Sequence, residues 1–308
     1  MPTPDTPDLL KQLTAEIENF EGIARAIQPA PGEVPRLEGI DLYGGTLPLN
    51  GVMGGDHLIY VDFKQRFDLE ARIADAEAGG RTEVVQNLRR CQHMAGVVLI
   101  DVSGHRVTDA LLAAMLHQAF LLGAIYELDM FGHITRRLFE NLNSRFYQSS
   151  AAHKFVSMIY AEISEESMFR FISAAQPFPA VFSRKNQQFM HVNQDLRVSF
   201  PPLGIMPSLD VIDRNRTQSA FGFKQHYQMN EWLLMGDGDI LILPTDGLMD
   251  HRRDEEPYFP DRLERLLQEA GDRSARQLFD DIAVDLREFA APQDDVSMVI
   301  IRKDRRPE

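Results

Sequence analysis

The chain has 308 residues, 44% of them hydrophobic and 25% charged, which suffices for one large domain or two of ordinary size. Its net charge of -14 is the wrong sign for displacing counterions from nucleic acid or docking on anionic lipid, and its single cysteine, Cys91, excludes an internal disulfide and a cysteine zinc cluster. No apolar run approaches the ~20 residues of a membrane span, and no basic start with an apolar block opens the chain, so a cytoplasmic protein is expected.

In chain order, Thr6-Pro7 is a helix start, with Thr6 as cap and Pro7 where its missing N–H costs nothing. That helix is expected to run to about Gln28. Its apolar residues Leu10, Leu13, Ile17, Phe20, Ala24 and Ile27 alternate in spacing between 3 and 4. The pattern fits a short coiled-coil seam that would make a homodimer, and it also fits an amphipathic helix lying on its own domain. Proline and glycine then punctuate the chain, so we divide it into a helix, 1–28, a linker, 29–36, and a main domain, 37–303. Strands are expected at 40–46 and 57–63. Residues 68–94 carry apolar stripes (Leu69, Ile73, Ala76; Val84, Val85, Leu88) broken at Gly79-Gly80, which reads as a helical hairpin inserted between strands to tune activity rather than to build the core. A buried strand at 96–102 precedes a helix at 107–126 that is apolar almost all round, and an amphipathic helix follows at 134–146. Short strand candidates at 155–163, 169–174, 180–184 and 188–193 suggest an antiparallel meander. A strand at 239–244, helices at 262–270 and 275–289, the latter capped by Ser274, and a strand at 296–302 complete the pattern. Helices should cover stacked sheets.

Four places share one local grammar, an aspartate where an apolar strand meets a turn: Asp56 in GGD, Asp101 in IDVSG, Asp246 in PTDG, and Asp294-Asp295 in QDD. Each alone is an ordinary turn residue. If the strand ends converge, however, carboxylates ~4 Å apart at an effective dielectric of ~20 repel by about 4 kcal/mol per pair. Such a cluster needs cations, and an all-oxygen set suits Mg2+ or Mn2+ rather than zinc.

Taken in order, GGD, DVSG with the helix HRVTDALLAAMLHQ behind it, GDILILPTDGLMD and DD resemble the bacterial serine/threonine phosphatases of the protein phosphatase 2C superfamily. The branch is that of stage II sporulation protein E and sigma regulation, and the resemblance covers roughly residues 36–303. It implies an α+β fold, a four-layer α-β-β-α sandwich of two antiparallel sheets between helix pairs, and two Mn2+ or Mg2+ ions whose bridging water attacks a phosphoserine or phosphothreonine. Carried onto this sequence, Asp101 would bridge both ions and orient that water. Asp56 and the Val102 backbone carbonyl would complete the protein ligands of one ion, and Asp246 and Asp294 would hold the other. Asp294 is preferred to Asp295 because the family ligand comes first in the acidic pair, ahead of an apolar and a hydroxyl residue, here Val296 and Ser297; Asp295 and Gly247 would lie behind the ligands. The resemblance also implies a phosphoprotein substrate, a STAS-type anti-sigma-factor antagonist.

The sequence departs from that pattern in places. SAAQPFP, Ser173 to Pro179, stands where many relatives have an Asn-Ala-Gly-His-like turn, and His57-Leu58-Ile59 replaces an aromatic-acidic pair. No departure removes a ligand. Two rivals remain: a catalytically silent relative that binds a partner through the same fold, and a hydrolase of another phosphoester class. His105, at a helix start, could meet phosphate or simply face solvent. GDGD at 236–239 reads as a tight turn, and Arg252-Arg253 as part of a solvated loop that could receive an acidic partner.

Overall fold

The computed structural model describes residues 6–25, 27–29, 33–49, 54–104, 107–149, 155–209, 218–233 and 235–304. Its strands are β1 (Ile40–Leu47), β2 (Asp56–Asp62), β3 (Met94–Val102), β4 (Val156–Ser164), β5 (Phe169–Ala174), β6 (Ala180–Ser183), β7 (Gln188–Phe189), β8 (Ser199–Phe200), β9 (Asn230–Trp232), β10 (Ile240–Pro244), β11 (Arg252–Arg253), β12 (Glu256–Pro257) and β13 (Val296–Lys303). The helices are α1 (Thr6–Arg25), α2 (Phe63–Arg66), α3 (Leu69–Ala78), α4 (Thr82–Cys91), α5 (Val107–Phe131), α6 (Arg136–Ser149), α7 (Asp246–Met249), α8 (Asp261–Glu269) and α9 (Ala275–Phe289). One sheet runs β1-β13-β10-β6-β7; the other runs β2-β3-β4-β5-β8, with β9 also on β5.

The strands are apolar on both faces because both faces are covered. On β2 and β3, Ile59, Val61, Val98 and Ile100 turn toward a core shared with α3 to α6, while Leu58, Tyr60, Val97 and Leu99 turn toward a second core between the sheets. A third core lies outside the other sheet, where Ile240, Ile242, Met298 and Ile300 meet Leu263, Leu267, Leu278 and Ile282 of α8 and α9. The result is the expected α-β-β-α sandwich. Tyr60 crosses its middle layer, donating to the Gly44 carbonyl at 2.9 Å and accepting from the Gly44 amide at 2.7 Å.

Several local expectations need correcting. The proposed meander splits, because β4 and β5 pair in one sheet while β6 and β7 pair with β10 in the other; Pro177 and Pro179 interrupt the ladder between them. The α3–α4 hairpin is not an appendage: Leu69, Ile73, Ala76, Val84, Val85 and Leu88 all belong to the first core. α1 ends at Arg25 rather than near Gln28, and α5 runs on to Phe131. By length and composition α5 could cross a membrane, but Leu116, Phe120, Ala124 and Leu128 are buried in the first core. Its other side leaves Leu111, Met115, Leu122, Tyr126 and Met130 exposed, and α1 lies against it with Leu10, Leu13 and Ile17 exposed in turn. The expected capping of α9 is present as a full capping box between Ser274 and Gln277.

Candidate metal centre

Strand alternation explains how the aspartates meet. Counting back by two from Leu58, or on by two from Leu99, places Asp56 and Asp101 on the inner face of their sheet at one end of the inter-sheet core. The same count on β4 places Ser157 beside them. From the opposite sheet, Leu241 and Leu243 lead to Thr245, and Ile301 and Val299 lead to Ser297 and Asp295. Asp56 and Asp101 are direct register partners, as are Asp101 and Ser157.

Hydroxyls hold the two strand-end carboxylates, Asp56 buried and Asp101 half-buried. Thr245 Oγ1 donates to Asp56 Oδ2 at 2.8 Å while accepting the Ser297 amide at 2.9 Å, which ties one sheet to the other. Ser157 Oγ donates to Asp101 Oδ2 at 3.0 Å. Asp246 heads α7 and is exposed, while Asp294 Oδ1 accepts the Asp295 amide at 2.7 Å. Asp295 acts differently, since its carboxylate accepts the Leu49 and Gly55 amides, each at 2.7 Å, and so clamps the turn that presents Asp56. Two glycines make this clamp possible. A Cβ on Gly54 would fall 1.8 Å from the Asp295 carboxylate, and one on Gly247 would fall 1.9 Å from the Asp295 carbonyl. The Val102 amide donates to the Gly55 carbonyl at 3.2 Å, which holds the same turn against the end of β3.

The electrostatics follow from burial and like charge. Burial first, and then Asp101, raises the Asp56 carboxyl far above the usual range, against the opposing pull of Thr245 and Ser297. Burial, with Asp246 next, pushes Asp101 up to about 6, partly offset by Ser157. Asp246, though exposed at the rim, is raised by partial desolvation there and then by Asp294. Each carboxylate thus senses another through the low-dielectric rim. Among the described residues no three His, Cys, Asp or Glu side chains are drawn together tightly enough to chelate an ion as they stand. The donor set is nevertheless oxygen only, mutually repelling and partly shielded from water, and it fits Mg2+ or Mn2+. The imidazole of His57, next to Asp56 in sequence, turns to the opposite face of the sheet and meets His117 of α5, Nε2 to Nδ1, at 2.7 Å. Burial holds His57 down to about 3 and His117 down to about 4, so this pair stays neutral.

Other sequence candidates fare variously. GDGD is a turn, with Asp239 accepting the Gly236 and Arg184 amides at 2.7 Å each. Arg252 and Arg253 form the β11–β12 hairpin rather than an irregular loop, and Arg253 pairs with Glu256 while stacking over Phe289. His105 lies outside the described residues. Sequence reasoning missed Ser157, Thr245, Gln176 and the His57–His117 pair, because lone hydroxyl, amide and imidazole groups in apolar strands and helices carry no motif; only the parity count on each strand would have found the first two.

Known proteins share parts of this sequence and its fold. A family model for stage II sporulation protein E (SpoIIE) matches residues 92–304. Phosphoserine phosphatase RsbP of Bacillus subtilis (strain 168) is 25% identical over 162 residues, 52% of this chain and 34% of RsbP, so the likeness spans about a third of that relative. The SiaA-PP2C domain of Pseudomonas aeruginosa shares the fold at a TM-score of 0.61, with 14% identity over 98% of this chain and 100% of that one. A Mycobacterium tuberculosis structure comprising RsbU and RsbW domains shares it at 0.60, with 18% identity over 89% of this chain and 63% of that one. Since the family match runs through well over half of its length, the chain belongs to the stage II sporulation protein E family.

Proposed function

We propose that the chain is a metal-dependent phosphoserine/phosphothreonine protein phosphatase, with Asp56, Asp101, the Val102 carbonyl, Asp246 and Asp294 as ligands of two Mn2+ or Mg2+ ions and Asp101 between them. The observation that carries this reading is the register pairing of Asp56 with Asp101 on the inner face, within electrostatic reach of Asp246 and Asp294, in a chain of this family. When bound, the cations would supply Lewis acidity, activating water near neutral pH and offsetting charge on the phosphoryl oxygens. The chain's own residues supply placement. Ser157 and Thr245 fix the Asp101 and Asp56 carboxylates, and Asp295 fixes the loop that carries Asp56. A cation held there would also replace the protons that burial and repulsion otherwise favour on Asp56 and Asp101.

The substrate on this reading is a cytoplasmic phosphoprotein of the STAS-type antagonist class. The relatives support it: RsbP is a phosphoserine phosphatase, and an RsbU domain occurs with an RsbW domain in the mycobacterial structure. Residues 37–303 would form the phosphatase domain, and the helix at 1–28 would pair two copies through the exposed Leu10, Leu13 and Ile17. The test is hydrolysis of a phosphoserine peptide across a Mn2+ titration, with Asp101→Asn alongside. Hydrolysis that persists in chelator, or a folded Asp101→Asn protein at the wild-type rate, refutes the two-metal centre. Metal-dependent stabilisation without turnover of any phosphopeptide would instead make the chain a binding module.

A further inference from the structure

Residues 173–179 leave β5 beside the carboxylates and carry three features that packing does not require. Ala175 has φ +61°, a left-handed conformation that side chains disfavour and glycine accepts. Gln176 behind it is 3% exposed, and its Oε1 has no hydrogen-bond partner. The other end of the same amide is engaged, since Nε2 donates to Ser157 Oγ at 3.0 Å, and Ser157 Oγ donates onward to Asp101 Oδ2 at 3.0 Å. The backbone is pinned as well: Ser173 Oγ donates to the Gln176 carbonyl at 2.9 Å, and Ala175 bridges to Met158 of β4.

A serine hydroxyl has one proton, and this relay decides where it goes. With Nε2 donating to Ser157 Oγ, the oxygen is occupied as an acceptor and its proton is free for Asp101, shared in part with the Asp101 carbonyl at 3.3 Å. With the amide reversed, Oε1 would draw that proton away and the carboxylate would lose its hydroxyl. A buried amide held in a strained turn for its nitrogen alone, with its oxygen left unmatched, is costly as packing and sensible as orientation. We propose that Gln176 is a positioning residue of the centre, setting the direction of the Ser157 hydroxyl and through it the rotamer of Asp101. This rests on the metal-centre reading above.

The test reads Mn2+ binding by calorimetry on the full chain, the melting temperature without metal, and phosphoserine-peptide kinetics. Gln176→Met keeps the volume and removes both polar atoms. It should leave the metal-free melting temperature unchanged or higher, since an unmatched buried oxygen is gone, while Mn2+ affinity falls about tenfold and kcat falls with it. A purely structural role gives the reverse, a lower melting temperature with unchanged affinity. Gln176→His, which keeps a ring N–H, should recover affinity to within about threefold of wild type. In a double-mutant cycle, adding Gln176→Met to Ser157→Ala should cost little beyond Ser157→Ala alone. Wild-type Mn2+ affinity in Gln176→Met, or additive losses in the cycle, overturns the proposal. Absence of Mn2+ binding by the wild type overturns the metal centre itself, and the proposal falls with it.

Discussion

Asp294 and Asp295 are adjacent and chemically identical, yet their substitution should have opposite consequences. Asp295 is 2% exposed and accepts two backbone amides, Leu49 and Gly55, at 2.7 Å. Hydrogen bonds to a charged acceptor contribute about 1.5–3 kcal/mol each. Asn at this position can still accept one amide, but its NH2 then faces the second, so one bond is lost and a donor is left opposing a donor. Relief of repulsion with Asp56 and Asp101 returns part of that, which leaves a net loss of about 2–4 kcal/mol. At roughly 2–4 °C per kcal/mol for a large domain, the metal-free melting temperature of Asp295→Asn should fall by about 4–16 °C. Asp294 accepts its neighbour's amide, a bond that Asn retains, and it acts against Asp246 and Asp101 by like charge. Asp294→Asn should therefore hold its metal-free melting temperature within about 2 °C and lose the added stability that Mn2+ gives by mass action. Circular dichroism melts of both variants, with chelator and across a Mn2+ series, measure the two effects separately. A drop below about 2 °C for Asp295→Asn, or a Mn2+ response lost there and kept in Asp294→Asn, would show that the roles are assigned the wrong way round.

The remaining expectations concern other parts of the molecule. Leu88 is fully buried in the first core, so Leu88→Ala should cost about 2–5 kcal/mol in denaturant unfolding, and replacing 68–94 by a Gly/Ser link should abolish folding; a folded deletion with altered turnover would restore the view of the hairpin as an appendage. Burial lowers Lys224, beside Glu140 and over the Tyr227 ring, to about 8. Its folded state binds fewer protons than its unfolded state above that value, so stability should rise with pH between about 8 and 9.5, and Lys224→Met should flatten the rise in melts across that window. Leu13→Glu with Ile17→Glu, at half-exposed sites on α1, should shift sedimentation at tens of micromolar toward monomer without lowering the melting temperature of the main fold, whereas a wild type already monomeric there would remove the pairing role of α1.

What the sequence made legible was local. A run of apolar residues closing on an aspartate marks a strand end, and Ser274 three residues before Gln277 marks a helix start, so β3, β10, β13 and α9 could be read within a residue or two. What it concealed was mostly pairing. Nothing near Ala180 shows that its strand joins β10 rather than β5, since register across a chain gap leaves no local trace. The clamp between Gly55 and Asp295 joins residues 240 positions apart. The α3–α4 hairpin read as an insertion because its stripes are amphipathic, and only the structure shows that the inward stripe fills the first core. Gln176 read as a departure from a familiar turn; its significance lies in where its amide nitrogen reaches.

The place of β13 in its sheet has a consequence for how the protein is made. The final strand is not at an edge but between β1 and β10, pairing with both along most of its length. During synthesis β1 therefore lacks its one hydrogen-bonding partner strand among the described residues until residues 296–303, some 250 positions later, have been made. The same segment brings Asp294 and Asp295, so closing the sheet and clamping the Asp56 turn are one event. A nascent or prematurely ended chain therefore lacks the middle of a layer together with part of its carboxylate rim, and carries two open strand edges that neighbouring chains could fill. Pairing of residues 296–303 and assembly of the centre are in this way coupled.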